Sequence, residues 1–154
     1  MQLTLHTDYA LRVLVYLTQK GDQLATISEI ADFYQISRNH LVKVVHHLAN
    51  EGFIQTTRGK HGGMRLARAP ELIAVGEVVR RMEPNFDIVE CFNAGNQPCT
   101  VTPVCVLKEV LHRATDEFLG VLDRYTLADA IAKSDKVEAV FPMEQLLRTS
   151  AGRS

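Results

Sequence analysis

The residues best suited to chemistry in this chain are Cys91, Cys99 and Cys105. They are the only cysteines among 154 residues and fall in one stretch, Cys91-Phe-Asn-Ala-Gly-Asn-Gln-Pro-Cys99-Thr-Val-Thr-Pro-Val-Cys105. Three thiols so placed can be a disulfide with one left over, a zinc site short of a ligand, or three anchors of an iron–sulfur cluster. An odd count disfavours a disulfide framework. The N-terminus is polar and the chain has no long apolar run. The sequence therefore predicts no signal peptide and no membrane span, and a cytoplasmic setting in which disulfides rarely persist. Structural zinc usually takes two close cysteine pairs, whereas the gaps here are seven and five residues with no fourth cysteine. His112 lies seven residues beyond Cys105, about two helical turns away and too far to share a metal with it. Iron–sulfur clusters tolerate wider gaps but usually take four thiolates. Three imply a fourth ligand of another type, or an open iron where a small reactive molecule would attack first. That chemistry suits a sensor; three unliganded thiols remain the alternative at this point.

The elements around the cysteines carry a second signal. The chain is 46% hydrophobic and 23% charged with a net charge of −1, an ordinary globular composition that conceals an asymmetry. Residues 36–68 hold six basic side chains against the single acid Glu51, and four of the six histidines (His40, His46, His47, His61) lie in the same window. A basic patch on a nearly neutral protein suggests a polyanionic partner for one face, with a plain solvated surface as the alternative.

The local patterns give that patch a shape. A first helix is expected over Thr7–Gln19, capped by Thr7 with Asp8 in its first turn. Thr26-Ile-Ser-Glu29 is a capping-box pattern opening a short second helix. Ser37 is placed to cap a third, in which Leu41, Val44, Val45 and Leu48 form one buried stripe. The opposite face carries Arg38, Asn39, His40, Lys43, His46 and His47. This is a helix-turn-helix arrangement. The β-prone run from Phe53 to Arg58, the glycine-rich Gly59–Gly63 and the return from Met64 to Ala67 predict a hairpin wing. Its tip carries Arg58, Lys60 and His61, placed to reach phosphates or a minor groove.

A short helix is expected over Val75–Met82, followed by an irregular stretch to about Val101 that contains Cys91 and Cys99; so long a loop is usually functional or disordered. Thr102-Pro103 then restarts structure with a helix of about twenty residues, placing Cys105 in its first turn, where exposed N–H groups favour a thiolate. Leu107, Val110, Leu111, Ala114, Phe118, Val121, Leu122 and Tyr125 give this helix a broad apolar face suited to a dimer interface, or to completing its own core. A short helix follows over Thr126–Ala132, and weak order is expected at the end of the tail. The reading is mainly α with a small β-hairpin wing. Residues 1–83 form a winged helix-turn-helix DNA-binding domain and 84–104 a cluster-binding loop. Residues 105–132 form a dimerisation helix with a terminal helix, and 133–154 a tail.

These motifs resemble one family. Met-Gln-Leu-Thr with Thr7-Asp8-Tyr9 and Leu11-Arg12, Ile36-Ser-Arg-Asn-His40, Arg58-Gly-Lys-His-Gly-Gly63, the three-cysteine loop and Tyr125-Thr-Leu-Ala-Asp129 are similar to the NsrR-type nitric-oxide-sensing repressors. These belong to the IscR/NsrR group of winged-helix iron–sulfur regulators. The resemblance runs to about residue 132. It implies a cytoplasmic homodimer binding an inverted-repeat DNA operator, with one cluster per subunit on Cys91, Cys99 and Cys105. The fourth ligand it implies is Asp8 of the partner subunit. It implies a 4Fe–4S cluster, with 2Fe–2S as the alternative, whose nitrosylation by nitric oxide releases the DNA. IscR-type relatives place a histidine three residues after the last cysteine, where this chain has Lys108. The gap between the first two cysteines is wider than that family pattern.

On this reading Ser37, Arg38, Asn39, His40 and Lys43 face the major groove, and Arg58, Lys60 and His61 serve the wing. Arg38 and Asn39 are the base readers, because their forked groups suit guanine and adenine edges. An IscR-like regulator responding to iron or cluster status is the nearest alternative. A cluster-dependent redox enzyme is disfavoured, since no nucleotide loop, second metal site or acid–base pair accompanies the cysteines. A winged helix serving only protein contacts, with a vestigial cysteine loop, is a third reading.

Overall fold

The structure is a computed structural model that describes residues 2–93, 95 and 99–132. The expectations for the tail, residues 133–154, lie outside the described residues. The described architecture is mainly α with one small antiparallel hairpin.

Helix α1 (Leu5–Lys20) is the axle of the fold. Its Ala10, Val13, Leu14, Tyr16 and Leu17 are fully or almost fully buried, and it packs against the later helices on several sides. It begins earlier than the sequence suggests: Thr4, not Thr7, is the cap, its hydroxyl accepting from the Thr7 backbone N–H. Thr7 lies one turn inside with its side chain fully buried. Thr4 also donates its backbone N–H to Glu83 at 2.7 Å, which fixes the start of α1 by a tertiary contact invisible in local sequence.

Helix α2 (Ile27–Tyr34) opens with the expected capping box, Thr26 and Glu29 satisfying each other's backbone N–H groups. Gln35 turns the chain with φ 54°, and α3 (Arg38–Asn50) follows with Leu41, Val44, Val45 and Leu48 buried. Ser37 stands at the N-cap of α3, but its side chain makes no capping bond. The wing pairs β1 (Ile54–Thr57) with β2 (Gly63–Leu66) in the register Ile54 to Leu66 and Thr57 to Gly63. Of its tip glycines only Gly59 takes a positive φ, 114°. A bridge from Ala25 to Met64 ties the turn between α1 and α2 to the hairpin.

Helix α4 (Val75–Met82) has the bounds its pattern predicts and buries Gly76, Val78, Val79 and Met82. Between α4 and the next helix the chain makes two 3₁₀ turns, Glu90–Phe92 and Thr102–Val104. Helix α5 (Val106–Asp123) therefore starts later than expected. Thr102-Pro103 opens a separate turn, and Cys105 is the N-cap of α5 instead of a first-turn residue. The short helix α6 (Leu127–Ala132) returns to α1, burying Leu127. Backbone bonds between Val75 and Tyr125 and between Leu127 and Ile73 lock this return.

Candidate functional site

Packing of the Leu41 stripe onto α1 leaves Arg38, Asn39, His40, Lys43 and His46 exposed on α3. These side chains are not equally free. His40 has its ring 6.2 Å from that of Tyr9, and Arg38 lies 3.7 Å from Asp32 of α2. His47 is turned inward, its Nδ1 3.0 Å from Nε2 of His6. Burial and the neighbouring His47 hold His6 below the ordinary imidazole range, with Glu83 opposing them. At the wing, Arg58, Lys60 and His61 are all exposed around the tip. Lys43, Arg58 and Lys60 enter no ion pair among the described residues. Of the other basic residues in the patch, Arg68 is occupied by Glu77 at 2.9 Å and lies over the Phe53 ring. The structure thus presents exposed cations on one helix face and one hairpin tip, the side-chain types that phosphate contacts use.

The cysteine stretch is built differently. Cys91 lies in the 3₁₀ turn Glu90–Phe92, Cys99 is exposed, and Cys105 stands at the N-cap position of α5 without a capping bond; all three are free thiols. Cys91 and Cys99 line one open cleft of about 790 Å³ with Asn85, Asp87, Glu90 and Asn93. Phe92 stacks on His112 of α5, with ring centroids 3.8 Å apart and planes within 5°. Through this stack His112 fastens the Cys91 turn to α5. The Thr102 hydroxyl, between Cys99 and Cys105, is buried with no hydrogen-bond partner among the described residues. An orphan of this kind costs about 1–3 kcal/mol. The described residues contain no group of three or more His, Cys, Asp or Glu gathered as a metal site. The thiols fit an iron–sulfur cluster in number and chemistry, but the single chain does not preassemble them.

Asp8 sits far from the thiols in sequence, on the first turn of α1, and is engaged. Arg12 donates to both of its carboxylate oxygens, at 3.2 and 2.8 Å. That bond to Asp8 chiefly raises the Arg12 pKa above its ordinary value. The guanidinium lies 5.9 Å from both the Tyr9 and Tyr34 rings. Sequence reasoning missed this clamp. Its signal is the i, i+4 spacing of Asp8 and Arg12.

Comparison with known proteins places these features. The Rrf2 family model, described as an iron-dependent transcriptional regulator, matches residues 3–133. The chain belongs to the Rrf2 family. Among Rrf2 relatives, the HTH-type transcriptional regulator NsrR of Bacillus licheniformis is 49% identical over 138 residues, covering 89% of this chain and 96% of that protein. The NsrR of Bacillus subtilis is 45% identical over 146 residues, covering 94% and 100%. Among solved Rrf2-like structures, T. potens IscR superposes with a TM-score of 0.72 at 25% identity, covering 90% of this chain and 91% of that one. CymR, the global cysteine regulator of B. subtilis, gives 0.71 at 26%, covering 88% and 99%. The chain is accordingly a DNA-binding transcriptional regulator with a winged helix-turn-helix fold, and not an enzyme. No described helix is long and apolar enough to cross a membrane.

Proposed function

We propose that this regulator is a dimeric repressor that senses nitric oxide through an iron–sulfur cluster held by Cys91, Cys99, Cys105 and Asp8 of the partner subunit. The 4Fe–4S form is favoured over 2Fe–2S. Such a cluster, bound through one carboxylate, would supply an iron reactive toward nitric oxide. The naming of close relatives as NsrR supports this reading, as do the three free thiols.

One observation carries it. The first turns of α1 hold Asp8 and also touch the reading helix, through His6 to His47 and Tyr9 to His40. A change in where the Asp8 carboxylate is held is therefore felt at α3 across direct side-chain contacts. Arg12 gives that carboxylate a partner within its own helix. The same turn is anchored to the end of α4 by Thr4 and Glu83, so its displacement does not dissipate into a loose terminus.

Dimerisation through α5 is supported by what this helix leaves uncovered. Val106, Leu107, Val110 and Val121, with Tyr125 just past its end, are between 42% and 70% exposed, apolar surface of the kind a partner covers. Two subunits would present Ser37, Arg38, Asn39, His40 and Lys43 to successive major grooves, about one helical turn apart. Arg58, Lys60 and His61 would reach the flanking backbone.

The deciding experiment is anaerobic purification with iron and sulfide counts. Titration with nitric oxide follows, while cluster absorbance and operator affinity are read together. The proposal expects both signals to fall in parallel. Absorbance and affinity that survive stoichiometric nitric oxide rule out the sensing claim. Affinity that instead follows iron supply selects the IscR-like alternative. Asp8→Ala with an unchanged spectrum and cluster lifetime removes Asp8 from the ligand set.

A further inference from the structure

The reading face of α3 contains one residue that neither its core nor its charge explains. Val42 is 51% exposed and is the only exposed large apolar side chain on α2 or α3. At helical spacing Asn39, Val42, Lys43 and His46 share one strip, opposite the buried Leu41, Val44, Val45 and Leu48. Val42 is half exposed and no part of the core, and its branched Cβ disfavours the helix relative to alanine or lysine. Isolated exposed apolar residues are common on protein surfaces, but this one lies inside a strip of hydrogen-bonding side chains. The neighbours are also partly committed, with His40 against Tyr9 and Arg38 near Asp32. That leaves Asn39 and Val42 as side chains well placed to touch base edges directly.

The major groove offers one apolar feature, the C5 methyl of thymine, which no cation or amide can read by hydrogen bonding. We infer that Val42 is a specificity-determining residue that packs on a thymine methyl in each half-site, next to the base read by Asn39. This rests on α3 being the major-groove helix, and it adds to that reading a base the polar residues cannot select.

The test replaces thymine by deoxyuridine, which keeps pairing and every hydrogen-bonding edge but lacks the methyl. Duplexes are first selected from a randomised pool by the anaerobically purified full-length protein. Each thymine of a selected duplex is then replaced in turn. The expected result is one thymine per half-site whose replacement weakens binding by about three- to fivefold, the size of losing one buried methyl contact. Val42→Ala should bind the thymine and deoxyuridine duplexes equally at that position, and Val42→Thr, which keeps one methyl, should retain part of the preference. Because Val42 is outside the core, both variants should unfold at the wild-type midpoint, so lost preference is not lost structure. Two outcomes overturn the inference while leaving DNA binding intact: no thymine is sensitive, or the sensitivity persists in Val42→Ala. A protein that retains no duplex from the pool overturns the placement of α3 and the inference together.

Discussion

Gly76→Ala probes the joint between the DNA-reading unit and α5, where two opposing effects can be weighed. Gly76 is buried in the first turn of α4, against the last turn of α5. A Cβ added there would lie 2.0 Å from Oδ1 of Asp123 and 2.9 Å from both its Cγ and its backbone N. The carboxylate can rotate away, but only by disturbing its two-pronged pair with Arg80. The backbone N cannot rotate away. Restoring an ordinary contact of at least 3.4 Å requires the two helices to part by about half an ångström. Alanine gains about 0.8–1 kcal/mol of helix propensity over glycine, while overpacking a close contact costs about 1–3 kcal/mol. The expected net is a loss of about 1 kcal/mol, read as a lower urea midpoint with unchanged slope, in cluster-free protein at one fixed concentration. Gly120 of α5 is the control. A Cβ there meets nothing within 4 Å, so Gly120→Ala should stabilise by about the full propensity gain. If Gly76→Ala stabilises as much as Gly120→Ala, the close approach of α4 to α5 is wrong.

Three further outcomes follow from contacts described above or adjoining them. Glu29 accepts from the Tyr16 hydroxyl at 2.7 Å and from Lys20, whose side chain is 3% exposed. Glu29→Gln should therefore cost about 3 kcal/mol, and a Lys20→Met, Glu29→Met double variant clearly less; equal losses would mean the pair is not coupled. His112→Ala removes the stack on Phe92, worth about 0.5–1.5 kcal/mol, so Cys91 in cluster-free protein should alkylate roughly three- to tenfold faster. An unchanged Cys91 rate would show that the stack does not restrain its turn. Burial pushes the Tyr34 phenol up to about 12, against the pull of Arg12. Its folded-state value lies above the ordinary 10.0. The stability it contributes is therefore complete below pH 10 and drains away as pH rises toward 12. Tyr34→Phe should flatten the stability curve across that window, and an identical alkaline slope would refute the assignment.

What could be read from sequence was whatever is encoded within one or two helical turns. The Leu41 stripe, the Thr26–Glu29 box and the bounds of α4 all follow from periodicity and capping, and the structure has them. Where tertiary contacts decide, local reading failed. Thr7 looks like a cap, but the Thr4–Glu83 contact starts the helix a turn earlier. Thr102-Pro103 looks like the start of α5 but closes a separate turn. The apolar face of α5 was legible from its periodicity, but sequence alone could not show that so much of it stays open to solvent. At the candidate site the exposed cations were identifiable by residue type. Their engagements were not, because Tyr9 with His40 and His6 with His47 join elements more than thirty residues apart. The thiols were legible as a group, and the clamp on Asp8 was not.

Helix α4 sets a limit on how this fold can vary. Its Arg80 reaches Asp123 at the end of α5, while the adjacent Arg81 reaches Glu51 at the end of α3. Consecutive residues on a helix point about 100° apart, so this eight-residue segment holds two moorings at a fixed angle. Inserting or deleting one residue inside it would swing one mooring around relative to the other and carry Gly76 or Met82 out of the core. The wing tip is an exposed connection that can lengthen without such a penalty. Length is therefore a free variable at the hairpin tip, and a rigid one in the short helix that follows it.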